Sequence, residues 1–167
     1  LPLHLAISKS RSDNVITALL DANPKAAMVV DGNGRLPLHD AARHISSDSI
    51  ISLLLASYPE GVSVADHASQ LPLHEAAGYN KSAVVSALLS AHPEAAKAAN
   101  ASGSLPLHEA AKLSKSPEVC TALLGAFPEA AQVQDTNGRS PLHLAVIHNQ
   151  NNDVFSCLLH SFPDACK

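Results

Sequence analysis

The sequence predicts an all-α solenoid, in which helix-turn-helix units of fixed length stack side by side and are joined by hairpin loops. Three observations predict it. The hexapeptide Leu-Pro-Leu-His-Xaa-Ala occurs at 1–6, 36–41, 71–76 and 105–110, with 140–145 as a near copy, so its starts lie 34 or 35 residues apart. A Val or Ile, followed by Leu-Leu, recurs at a matching distance after each copy. An Xaa-Pro step then closes each unit's second apolar stretch. A period of this size marks a supersecondary element too small to bury its own apolar face, which stacking on neighbours buries instead. The units are read as 1–35, 36–70, 71–104, 105–139 and 140–167, forming one domain over 1–167.

The fourth unit shows how each element arises from its residues. Pro106 suits the first turn of a helix, where a missing N–H costs nothing. Leu107, Ala110 and Ala111 follow with the i, i+3, i+4 spacing of a short helix buried on one side. Polar residues through Ser114 and Lys115 break it. Ser116-Pro117-Glu118 then supplies an N-cap, a first-turn proline and an early acid, which start a second helix. Val119, Cys120, Ala122, Leu123 and Leu124 give its apolar face, and Val15, Ile16, Ala18, Leu19 and Leu20 fill the same places in the first unit.

The steps Asn23-Pro24, Tyr58-Pro59, His92-Pro93, Phe127-Pro128 and Phe162-Pro163 should each end a second helix, because the residue before proline is pushed out of the α region. Stretches such as Pro93–Ala96 and Pro128–Ala131 can add one further helical turn. Asp31-Gly-Asn-Gly-Arg35 and Asp135-Thr-Asn-Gly-Arg139 are turn signals leading into the next motif. Ser69 stands where three other hairpins have Gly34, Gly103 and Gly138. That turn is either strained or of a different type.

Composition excludes several classes. The chain is 46% hydrophobic but only 3% aromatic, which suits thin helices packed closely through small side chains. A net charge of −4 with scattered charges argues against a general nucleic-acid binder, which needs a dense cationic field. No apolar run approaches the ~18 residues of a membrane span. Cys120, Cys157 and Cys166 have neither metal-type spacing nor an even count, so an intracellular, cytoplasmic setting is expected rather than a disulfide framework. The chain opens on the first residue of a motif and stops part-way through a unit, and is read as a segment of a longer protein.

Helix, turn, helix and an Asp-Xaa-Xaa-Gly turn before Pro-Leu-His-Xaa-Ala resemble the ankyrin repeat along the whole chain. The third unit matches the family's spacing from Pro72-Leu73-His74 through Val84-Val85 to Leu88-Leu89, while the other four carry one more residue between their helices. The departures are systematic. The threonine that usually opens the family motif is Leu in four units and Ser140 in the fifth, so its hydroxyl contact to the motif histidine is lost in four. The Gly-Ala that usually closes the second helix is replaced by Xaa-Pro.

The resemblance makes the motif histidines His4, His39, His74, His108 and His143 structural, bonding backbone groups near the hairpins and tying neighbours together. Their separation along a stack keeps them from sharing a metal ion with bonds of ~2.1 Å. Cys120 and Cys157 occupy apolar places, where a thiol behaves as a small hydrophobe. Asp40, Glu75 and Glu109 follow the motif histidine and read as early-helix acids favoured by the helix dipole. No cofactor, metal or catalytic residue is expected, since no nucleophile–base set converges and Asp31-Gly-Asn-Gly lacks the chemistry of a phosphate loop.

The family binds partners through variable positions on its concave face of hairpin tips and first helices. By register those positions include Lys9, Arg35, Arg43, His44, Gln70, Tyr79, Lys112, Leu113, Arg139 and His148, which differ from unit to unit while core positions barely change. The set holds five Lys or Arg residues and no carboxylate. A weakly positive face is therefore expected, suited to a partner protein with an acidic or phosphorylated segment. The expected protein is a monomeric protein-binding scaffold unless its ends self-associate, with no nucleic acid and no membrane among its partners. The alternative is a regulatory or targeting arm of a larger enzyme or channel.

Overall fold

The structure, a computed structural model, describes residues 1–10, 12–45, 47–79, 81–148 and 151–161. Among them are ten α-helices and no strand: α1 (Pro2–Leu5), α2 (Asp13–Ala22), α3 (Pro37–His44), α4 (Asp48–Ser57), α5 (Pro72–Gly78), α6 (Ser82–Ala91), α7 (Pro106–Leu113), α8 (Pro117–Ala126), α9 (Pro141–His148) and α10 (Asn152–Ser161). Each odd-numbered helix packs on the even one that follows it. Odd helices also pack on odd neighbours and even on even, which gives two rows of helices and contacts between successive units. The all-α repeat solenoid expected from the sequence is the fold observed.

The first helices of the middle units start at proline, with extended Leu36, Leu71 and Leu105 before them. Leucine offers no capping oxygen. The motif histidine supplies the missing acceptor, and Nδ1 of His39, His74 and His108 each accepts the N–H of the leucine three residues earlier, at 3.1 Å. In the fifth unit Ser140 restores the hydroxyl, whose Oγ lies 2.7 Å from His143 Nδ1. Losing the family threonine therefore leaves half of a capping box intact, the half that runs from ring to backbone.

The second helices all have ten residues. Ser116 stands in extended conformation before Pro117, as the start signals require, but its side chain does not cap the backbone; the hydroxyl donates to the Glu118 carboxylate instead. Asn23, Tyr58, His92 and Phe127 close α2, α4, α6 and α8 with φ near −150° (−152°, −151°, −152° and −147°). The proline after each opens a short 3-10 turn: Pro24–Met28, Pro59–Ser63, Pro93–Lys97 and Pro128–Ala131. Phe162-Pro163 lies outside the described residues, as does Cys166.

The extra linker residue is used differently along the chain. In the second and fourth units it lets Ile45 and Ser114 run extended and buried after α3 and α7. In the first it is absorbed by a π-helical turn, Ala6–Ser10, that prolongs α1. One expected core residue is corrected. Val84, Val119 and Val154 are fully buried, but Val15 at the equivalent place is 45% exposed, because that side of a unit faces the preceding helix pair and the described residues include no pair ahead of α1 and α2.

The hairpins are built alike. Oδ1 of Asp31, Asp66, Asn100 and Asp135 accepts two backbone N–H groups, from the residues two and four positions on, at 2.8–3.0 Å. Successive turns are stitched together by His67 N–H to Asn33 O, Ala101 N–H to Ala68 O and Thr136 N–H to Ser102 O, each at 3.0 Å. Gly34, Gly103 and Gly138 have φ of +76°, +70° and +73°, and Ser69 has +57°. Ser69 thus shares the glycine geometry, and the register that places Gln70 stands. The Cβ is tolerated because the residue of the next hairpin in the contact register is the small Ala101, whereas His67 and Thr136 crowd Gly34 and Gly103. Left-handed backbone still costs a residue with a Cβ about 1–2 kcal/mol. Ser69→Gly should therefore stabilise the domain by about 0.5–1 kcal/mol after glycine's unfolded-state entropy is subtracted, and raise the urea midpoint; a lowered midpoint would contradict the strain.

Candidate functional site

A groove runs between the hairpins and the row of first helices, and its walls follow from register. The residue four places before each motif histidine, Arg35, Gln70, Ser104 or Arg139, comes from the hairpin side. The residue just after it, Asp40, Glu75, Glu109 or Leu144, and those ending the helix, such as Arg43, Tyr79, Lys112, Leu113 and His148, come from the helix side.

At one end of the groove these walls are joined by charge. The Arg35 guanidinium donates from Nη2 to Glu75 Oε1 at 2.9 Å, and its Nε lies 3.8 Å from Asp40 Oδ1. Asp40 Oδ2 meets His4 Nδ1 at 2.8 Å. His4, which does not bind its own helix start, places Nε2 2.9 Å from the Val29 carbonyl. Burial depresses the His4 pKa, but the Asp40 hydrogen bond, the Val29 carbonyl and the Asp40 charge outweigh it and raise it overall. Burial also raises Glu75, against the pull of Arg35 and Arg43. The expectation of a cationic face without carboxylates is corrected here: Asp40 and Glu75 stand in the groove and neutralise Arg35.

Further along, the Arg43 guanidinium lies over the Tyr79 ring, 4.5 Å from its centroid. Leu113 leans on Gly78, its Cδ1 3.4 Å from where a Cβ on that glycine would stand. Tyr79 and Leu113 are 43% and 49% exposed and follow one another in the same register position. Arg139 is turned back on its own hairpin, with Nη2 and Nε 2.8 and 2.9 Å from Asp135 Oδ2. Burial opposes ionisation of Asp135, yet the Arg139 side chain and the turn N–H groups hold its pKa down to about 2.

The structure thus brings the predicted residues into two groups. Arg35, Arg43 and Tyr79 share the charged end with Asp40 and Glu75. Gln70, Lys112, Arg139 and His148 line a depression with Asn100, Ser102, Ser104, Glu109 and Leu144. Lys9 is exposed in the first unit and His44 is half-buried at the end of α3, apart from both groups. Asp40, Glu75 and Glu109, expected only as early-helix acids, belong to the groove as well.

A family model of ankyrin repeats, in three copies, matches residues 73–166. The chain belongs to the ankyrin-repeat family. A search of curated proteins found no match. Ankyrin repeats are in general protein–protein interaction modules and are typically non-catalytic. No helix of this ankyrin stack, among the described residues, is long and apolar enough to cross a membrane.

Its motif histidines have a defined role. Beyond the N–H bonds to Nδ1, Nε2 of His39, His74 and His108 reaches the carbonyls of Gln70, Ser104 and Arg139 at 3.0, 3.1 and 3.2 Å, each the last residue before the next motif. With Nδ1 accepting, Nε2 carries the proton and donates, so each ring is a neutral stitch between units. Among the described residues no three His, Cys, Asp or Glu side chains are grouped to hold a metal. Cys120 is fully buried, and burial together with the neighbouring Cys157 pushes its thiol up to about 12, far from a reactive thiolate.

Proposed function

We propose that residues 1–167 form one domain of five ankyrin repeats that binds a partner protein along the groove and performs no chemistry of its own. The observation that carries this reading is the pair Tyr79 and Leu113. Elsewhere among the described residues, large exposed hydrophobics lie in the first and last units: Leu1, Leu5, Val15, Met28, Val29 and Val30 at one end, Val146 and Ile147 at the other. Tyr79 and Leu113 alone stand mid-stack, side by side on a polar surface. An aromatic and an aliphatic side chain in that setting form the usual centre of an interface, and the charged rim adds register more than affinity. The partner is a polypeptide segment that lays an apolar side chain over them. The expectation of an acidic or phosphorylated partner narrows to the Lys112 end, because Arg35 is committed to Asp40 and Glu75.

Pull-down with the purified domain tests this. Tyr79→Ala combined with Leu113→Ala should weaken the captured partner at least about tenfold, on the scale of a lost interface anchor. Glu94→Ala combined with Glu129→Ala, both exposed in the 3-10 turns, should leave it unchanged. Equal loss from the two pairs, or none from the first, would reject the groove.

A further inference from the structure

We propose that the depression beside Ser104 receives one anionic side chain of the bound partner, a carboxylate or a phosphate ester. It encloses about 260 Å³, below the size of a usual small-molecule pocket and suited to a single side chain.

The site arises where the groove's charge pattern fails. Arg35 fills the equivalent space nearer the first unit, bridging Asp40 and Glu75. Here Ser104 stands in the arginine's place and Leu144 in the place of Glu75, so no side chain bridges the gap as Arg35 does. What remains is rich in donors. Lys112 makes no ion pair among the described residues. Arg139, whose side chain is 39% exposed, gives two of its nitrogens to Asp135 and keeps further N–H groups of its five for the opening. Gln70 contributes its amide and Ser104 its hydroxyl. Against them stands one acid of the lining, Glu109, already accepting from Asn100 Nδ2 at 3.5 Å. A neutral side chain would leave Lys112 without a counter-charge; an oxyanion satisfies Lys112 and Arg139 together.

The inference rests on the groove reading only in that a partner segment lying there carries the anion. Its test is independent. The isotope-labelled domain is titrated, at constant ionic strength, with the N-acetyl amides of phosphoserine, glutamate and serine. Saturable NMR shifts at Gln70, Ser104, Lys112 and His148 are expected with one or both anionic compounds and none with serine. Stronger binding of phosphoserine would identify a phosphate receptor, and equal or stronger binding of glutamate a carboxylate receptor. Lys112→Met should weaken binding about tenfold, while Glu109→Gln should strengthen it. Shifts spread over exposed Lys25, Lys97 and Lys115, or binding untouched by Lys112→Met, would overturn the site. Tyr79→Ala with Leu113→Ala should leave these titrations unchanged, so a silent pocket beside an intact groove interface would refute this inference alone.

Discussion

Replacing His74 by alanine is expected to destabilise the fold by about 3–5 kcal/mol, the sum of two buried backbone groups left without partners and a small cavity. The ring is 1% exposed and holds the Leu71 N–H on one side and the Ser104 carbonyl on the other, both at 3.1 Å. It therefore fixes the start of α5 and ties the third unit to the fourth. In a stack stabilised only between neighbours, a fault in the middle weakens two interfaces. His143→Ala is the comparison. That ring is exposed, and its loss should cost less than about 1 kcal/mol, the worth of an ordinary hydrogen bond. Urea unfolding of both variants measures the difference, and similar midpoints would show that the histidines are not stitches between units.

Acid should destabilise the domain from about pH 6.5 downward, before its carboxylates titrate. Burial holds His39, His74 and His108 below the ordinary histidine pKa of 6.5, overriding the carbonyls at Nε2, and takes His74 to about 4. The stitch needs a neutral ring, since a protonated Nδ1 cannot accept the leucine N–H. Between pH 6.5 and 4 the unfolded chain binds protons that the native rings refuse. Stability is thus fully present above pH 6.5 and falls as pH falls, with His74 alone accounting for about 3 kcal/mol by pH 4. His4 acts in the opposite sense. Its pKa is raised, so its contribution is present below 6.5 and lost as pH rises through the native value. Three depressed rings outweigh one raised ring. The urea midpoint should drop steadily from pH 7 to pH 4.5; a flat profile would contradict neutral, bonded imidazoles.

What was legible in the sequence was local. Xaa-Pro steps, first-turn prolines and turn residues act on their own backbone, and the helices, 3-10 turns and hairpins stand where those residues put them. Gly34, Gly103 and Gly138 announced a left-handed position, and Ser69 adopts it too. What was not legible depended on neighbours. Arg35 meets Glu75 only because stacking brings a hairpin against the first helix of the next unit, forty positions away. Asp40 and Glu75 read as helix-start acids, which they are, but the rotation of α3 and α5 also turns them into the groove. Comparing the column Arg35, Gln70, Ser104, Arg139 with the column Asp40, Glu75, Glu109, Leu144 would have revealed the pairing. Val15 likewise matched the core pattern, and it is exposed because no helix pair among the described residues packs on that side of it.

Whether a partner protein lies in the groove can be read from hydrogen exchange on the isolated complex. Protection should rise at the hairpins 66–70 and 100–104 and at the ends of α5 and α7, around Tyr79 and Leu113, with α6 and α8 unchanged. Protection confined to α6 and α8, with the hairpins and the ends of α5 and α7 exchanging as in the free domain, would contradict it.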